Sequence, residues 1–268
     1  MTVLDSHEKN LYQEEDMLNI KNEEGIIIAE FSHGKTNSIT METLTKLRDV
    51  VKTANTDDTV RGIILTGAGR TFSSGFDLPT FLGFKNLDEI IAFFEIEEEI
   101  LLETFMCKKP IVSAINGHAV AGGLIFAMAT DYRIVKNHPK INLGMTEIKL
   151  GLALSLAQSG IMRFGFDSDK KFCDMMYFGK MLNVEQAKEF GIIDEIVEEA
   201  DLIPRAKKII SKWIDNPGRA FIKLKEGLKK PVADRIYRQL REEDWKPAFN
   251  CFFDKDVRGA LEFVMAMM

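Results

Sequence analysis

Apolar residues in this chain fall into two recurrent patterns: short β-rich runs, and longer stretches with helical spacing. Gly25-Ile26-Ile27-Ile28-Ala29-Glu30-Phe31, Gly62-Ile63-Ile64-Leu65-Thr66 and Pro110-Ile111-Val112-Ser113-Ala114-Ile115 read as strands. Thr40 is placed to cap a helix from Met41 to Thr53, with Leu44, Leu47, Val50 and Val51 on one face. Ile90 to Met106 repeats that period through Phe93, Phe94, Ile96, Ile100 and Leu101. Leu124 to Ala129 predicts a buried helix, and Asp131 to Val135 and Ile141 to Leu143 predict short strands. After Glu147 the pattern is mostly helical. Val184 to Phe190 ends at a capping Gly191, and Ile203 to Ile214 stops before Asn216-Pro217-Gly218. Arg219 to Leu228 and Val232 to Met268 supply the closing helices.

The strand-then-helix unit recurs without a strict repeat, and no low-complexity linker interrupts it. The expectation is one α/β domain: a poorly ordered tail over residues 1–20, a core over 21–200 and a C-terminal helical region over 201–268. Net charge of −6 over 268 residues argues against a nucleic-acid partner, since phosphate binding wants a basic face. Cys107, Cys173 and Cys251 are far apart, show no metal-ligand spacing, and read as reduced thiols. The first 24 residues are acidic and lack the apolar stretch of a signal peptide, and no apolar run approaches a membrane span. The expected setting is cytoplasmic, with no membrane insertion.

Candidate chemistry concentrates where two strands run into glycine turns. The first turn is Ser73-Ser74-Gly75-Phe76-Asp77-Leu78, and the second runs from Asn116 to Gly123. Glycine allows φ > 0 and close approach, and a turn that opens a helix presents N–H groups to negative charge. Two such turns suit an oxyanion hole, in which two N–H groups meet one developing negative oxygen. Neither turn is a G-x-G-x-x-G dinucleotide fingerprint, and no G-x-S-x-G elbow surrounds Ser74. Asp77 reads as a brace for its own turn, His118 and Asp131 as structural. The acidic cluster Glu95, Glu97, Glu98 and Glu99 reads as a solvated helix face rather than a metal site. Taken on its own segment, Glu147 reads as a helix or loop residue in a surface pair with Lys149 or another cation.

At these turns the sequence resembles the crotonase (enoyl-CoA hydratase/isomerase) superfamily, from about Gly25 to Val232 and more weakly to the end. Phe72 to Leu78 follows F-x-A-G-x-D-L, and Asn116 to Gly123 follows N-G-x-A-x-G-G-G with Ala121 in place of the first triplet glycine. Asn37-Ser38, Phe178-Gly179-Lys180 and the stretch from Glu185 to Ile193 match further segments in order. The resemblance implies a crotonase-like ββα spiral core with a C-terminal helical region that forms a homotrimer or a dimer of trimers. It also implies an acyl-CoA substrate, coenzyme A entering only as part of that substrate, with no metal and no permanently bound cofactor. Carried over by position, the oxyanion N–H groups come from Phe76 and Gly122. Substrate contacts run along Ser74, Gly75, Phe76, Asp77 and Leu78, with Gly122 and Ile125.

The departures narrow the reaction. Hydratases of the superfamily use two glutamates; here the first position is Ile125, and the second is kept as Glu147 in Gly144-Met145-Thr146-Glu147-Ile148-Lys149-Leu150-Gly151. Where the hydratase pattern continues P-G-x-G-G, this chain reads Leu152-Ala153-Leu154-Ser155-Leu156. Pro79 stands where several hydratases carry a lysine, and the chain ends in Ala266-Met267-Met268 rather than a basic tail. A single glutamate resembles the Δ3,Δ2-enoyl-CoA isomerase branch, with Glu147 as the catalytic base in an apolar pocket formed with Ile125, Phe76, Leu124 and Leu152. Phe81, Phe84, Phe93 and Phe94 are candidates for an acyl tunnel and equally for core packing. Competing readings are another crotonase reaction (hydration, C–C hydrolysis or decarboxylation) and a silent acyl-CoA-binding relative.

Overall fold

The apolar runs become strands that are covered on both faces. The computed structural model describes residues 16–242 and 244–267. It opens with β1 (Leu18–Glu23), β2 (Ile26–Phe31) and α1 (Met41–Thr56). Next come β3 (Gly62–Gly67), β4 (Thr71–Ser73), α2 (Leu78–Gly83) and α3 (Leu87–Phe105). The centre holds β5 (Ile111–Ile115), β6 (His118–Val120), α4 (Gly122–Ala129), β7 (Tyr132–Lys136) and β8 (Leu143–Gly144). A 3-10 turn (Glu147–Leu150) then leads to α5 (Leu156–Gly165), α6 (Asp169–Phe178), β9 (Met181–Leu182), α7 (Val184–Phe190) and β10 (Glu195–Val197). The chain closes with α8 (Leu202–Ile214), α9 (Ala220–Glu242), a 3-10 segment (Lys246–Phe253) and α10 (Lys255–Met267).

A six-stranded sheet runs β1-β2-β3-β5-β7-β10, and a four-stranded sheet runs β4-β6-β8-β9. From β2 to β10 the large sheet is parallel; β1 alone is antiparallel. Three times in succession the chain lays one strand in the large sheet, the next in the small sheet, then a helix: β3–β4–α2, β5–β6–α4 and β7–β8–α5. This is the ββα spiral of the crotonase-like α/β fold, with the helical region following it. Parallel strands buried on both faces explain the unbroken apolar runs. Ile27, Ile63, Leu65, Ile111 and Ile115 enter the main core, while Ile26, Ile28, Ile64, Val112 and Ile134 pack on Ile209, Ile210 and Ile214 of α8.

Three expectations are corrected. Leu18 to Ile20 form the start of β1 rather than tail, held by pairing with Ala29 to Phe31, while residues 1–15 lie outside the described residues. The acidic cluster is not one solvated face. α3 is enclosed by α1, α4 and α5, so Glu97 and Glu98 are fully buried while Glu95 and Glu99 stay at the surface. Glu97 Oε1 accepts from Gln158 Nε2 (3.2 Å), and Glu98 Oε2 accepts from the Ala157 N–H (2.8 Å). Burial raises the Glu97 carboxyl well above the usual range, with the neighbouring Glu98 adding to the effect, and pushes Glu98 up to about 7. Finally, α9 runs unbroken through Pro231 where two helices were expected. Proline removes one helical hydrogen bond. Packing on both sides, by Lys225 and Lys229 before it and Ala233 and Ile236 after it, holds the axis.

Asp131, at the entry to β7, fastens α9 to the core. Its Oδ2 lies 2.6 Å from Lys225 Nζ and its Oδ1 2.7 Å from Lys229 Nζ, all buried. Oδ2 also accepts from the Ile111 N–H, and the two ammonium groups donate to the carbonyls of Lys109 and Ala129. Burial alone would raise this carboxyl, but the two lysines outweigh it and lower its pKa. Asp131→Ala strands two ammonium groups in the interior, and a loss of about 3–5 kcal/mol is expected in urea unfolding. Glu98 gives a second test. Its native pKa lies above its unfolded value, so the stability it adds is complete below the unfolded pKa and is lost as pH rises through about 7. Unfolding curves of Glu98→Gln measured across that window are expected to lack this part of the decline.

Candidate active site

The two glycine turns meet. Ser74 to Asp77 leave β4 and are pinned by Ile39, whose N–H donates to the Gly75 carbonyl (2.8 Å) and whose carbonyl accepts from the Asp77 N–H (3.1 Å). This is an isolated parallel bridge between Ile39 and Phe76, so the N–H of Phe76 faces away from Ile39. Gly75 has φ of +98°, and a Cβ there would fall 2.9 Å from the amide nitrogen of Gly122. Asp77 caps α2, accepting from the Thr80 N–H (3.1 Å) and hydroxyl (2.8 Å), the bracing role expected for it.

The second turn is fixed by Asn116, which accepts from the Gly67 N–H and donates to the Gly69 carbonyl. Ala121 caps α4 at φ of +52°, backbone space that suits glycine, and it is held by its N–H on the Gly144 carbonyl (3.0 Å). Gly122 is then the first residue of α4, so its N–H has no acceptor within the helix. A Cβ on Gly122 would stand 3.0 Å from the Phe76 ring. The turns are thus locked face to face with no room for side chains between them.

Above this junction lies a cavity of about 340 Å³. Ser74, Phe76, Leu78, Gly122, Ile125 and Glu147 line it, and Gly75 and Asp77 lie in the turn beside it. Leu152 lines it as expected, whereas Leu124 is buried in the core. Of the candidate tunnel rings, Phe81 and Phe94 reach the cavity, and Phe84 and Phe93 pack against Phe81 from outside. His118 borders the cavity, with Nδ1 accepting from the Asn142 N–H (3.2 Å), so in its neutral form the ring carries its proton on Nε2.

Among the described residues, Glu147 is the one carboxyl on this wall. It opens the 3-10 turn after β8, and Gly151 closes that turn in the left-handed region. No ion pair with Lys149 forms among the described residues, which overturns the surface reading, and Glu147 Oε2 is buried without a hydrogen-bond partner. Burial pushes its pKa up to about 7, against weaker lowering by the backbone N–H groups of Glu147 and Thr146. No cluster of three or more metal-ligating side chains occurs among the described residues.

Several wall residues were not singled out from the sequence: Thr36, Thr71, Leu150, Gln158, Phe252 and Val264. Phe252 and Val264 come from the closing helical segments, far along the chain, and no local spacing signals that they fold back. Gln158 had a local signal in Ser155-x-x-Gln158, a capping box whose glutamine also turns to the cavity.

The family model described as enoyl-CoA hydratase/isomerase matches residues 21–264. Enoyl-CoA delta isomerase 1, mitochondrial, of Rattus norvegicus is 28% identical over 87% of this chain and 80% of its own length. A probable enoyl-CoA hydratase of Bacillus subtilis is 28% identical over 82% of this chain and 88% of its own. Among solved structures, human mitochondrial delta3-delta2-enoyl-CoA isomerase superposes with a TM-score of 0.85 at 24% identity, covering 94% of this chain and 97% of that one. An enoyl-CoA hydratase from Bacillus halodurans gives a TM-score of 0.80 at 23% identity, covering 92% and 99%. With the family model spanning nearly all of the described residues, this chain belongs to the enoyl-CoA hydratase/isomerase family.

Proposed function

We propose that the protein is an acyl-CoA isomerase that moves a double bond from Δ3 to Δ2 of an enoyl-CoA. The observation that carries this reading is a buried carboxyl, Glu147, with an unpaired oxygen on an apolar cavity, and Ile125 on the wall where hydratases of the family carry a second acid. Hydration wants two carboxylates to hold and activate water. An allylic shift needs a proton taken from C2 and returned at C4, which one base can do.

The thioester carbonyl oxygen binds between the N–H groups of Phe76 and Gly122. Glu147, ionised, removes a C2 proton, and the charge moves to the thioester oxygen. Each fixed N–H donor there is worth about 3 kcal/mol to the transition state. The carboxyl then delivers a proton to C4, giving the 2-enoyl thioester and restoring the base. The apolar wall supports this in two ways. It keeps water from the dienolate, and it raises the basicity of the carboxylate toward that of a weak carbon acid. The site also suits a homo-oligomer, trimer or dimer of trimers: α10, which supplies Val264 to the cavity, leaves Phe263 and Met267 at 68% and 74% exposure.

Glu147→Gln is expected to lower kcat/KM for a 3-enoyl-CoA by about a thousandfold or more while acyl-CoA binding persists. Conversion is read by mass spectrometry in heavy water beside a 2-enoyl-CoA. Water addition to the latter by the wild-type protein would make it a hydratase, and binding without exchange would make it a silent relative. The reactive form of Glu147 is the anion, so kcat/KM should rise with pH and level off above about 7. A profile already flat from pH 5 upward would contradict a desolvated base.

A further inference from the structure

Glu147 stands between two cavities. Behind the wall it shares with Leu152 and Ala153 lies a second space of about 280 Å³, lined by Ser159 of α5 and by Phe172, Met176 and Tyr177 of α6. Its rim carries Ile148 and Tyr177, 49% and 67% exposed, so it opens to solvent. An acyl-CoA seated in the first cavity closes that side of Glu147 to water and leaves the second side open. The space is ample for water, which occupies about 30 Å³ in the liquid and needs a few polar partners. Ser159, Tyr177 and Glu147 bring polar side chains to its lining.

We propose that this rear cavity holds the water through which Glu147 exchanges its proton while the substrate is bound. The inference rests on the proton-transfer reading of the site. After C2 loses its hydrogen as a proton, Glu147 is a neutral acid and the substrate a dienolate. The carboxyl hydrogen and a water hydrogen trade places, with no change in charge and no co-reactant other than water. Rotation about the last side-chain torsion, which is soft and two-fold for a carboxyl, brings either oxygen to either side. Oε2 has no hydrogen bond to break in doing so. The hydrogen delivered to C4 then comes largely from solvent instead of from C2.

The test is a 3-enoyl-CoA carrying deuterium at both C2 positions, turned over once in ordinary water, with deuterium at C4 of the product read by mass spectrometry. Recovered substrate is checked for loss of label before turnover. The wild-type protein should transfer only a minor share of label to C4. Met176→Trp and Ser159→Leu each fill the rear cavity, and each should raise that share about threefold, as expected when solvent no longer reaches the base. The share is counted per product molecule, so it does not depend on the rate. Full transfer of label by the wild-type protein overturns the proposal, as does an unchanged share in whichever variant folds and turns over. Absence of product from any 3-enoyl-CoA removes the isomerase reading and the exchange route with it.

Discussion

The contact between the two glycine turns is the constraint on which the site depends. Gly75 approaches the Gly122 amide closely enough that a methyl group would collide with it, and Gly122 meets the Phe76 ring just as tightly. That approach sets the separation of two N–H groups, and each is aimed by a different device. The Ile39 bridge turns one outward, and the start of α4 leaves the other without a helical acceptor. Both devices rest on the small sheet, where β4 and β6 pair directly and lead into the two turns. A shift of register there would move one donor relative to the other.

Around this junction the protein tolerates unfavourable burial of charge, and it handles its acids in different ways. Asp131 is held ionised by two lysines and ties a distant helix to the core. Glu97 and Glu98 form no ion pair among the described residues and are favoured as neutral acids that accept hydrogen bonds from α5. Glu147 has neither arrangement. It is left on an apolar wall with an unpartnered oxygen, which raises its pKa and costs stability as pH rises. The same physical term, desolvation, is thus offset by lysines at Asp131, relieved by protonation on α3, and retained at the cavity.

Much of the frame was legible because its cues are local. Thr40 at the start of α1, Gly191 at the end of α7 and the unbroken apolar strands carry their signals within a few residues. The failures share a cause as well. β1 is a mostly exposed strand, buried only at Leu18, that exists through pairing with β2, and its polar residues look like tail when read alone. Glu97 and Glu98 look like surface residues because their enclosure comes from three helices distant in sequence. Pro231 reads as a break, and the helix survives it only because the core grips both flanks.

The sequence by itself determined the strands and the two glycine turns, since each is written in residues adjacent along the chain. Tertiary structure alone decided that the turns touch, that Phe252 and Val264 return to close the cavity, and that Glu147 is desolvated without an ion pair among the described residues. Those outcomes depend on distances between segments far apart in the chain. A carboxyl's basicity is set by whatever surrounds it in space, which its sequence neighbours do not specify.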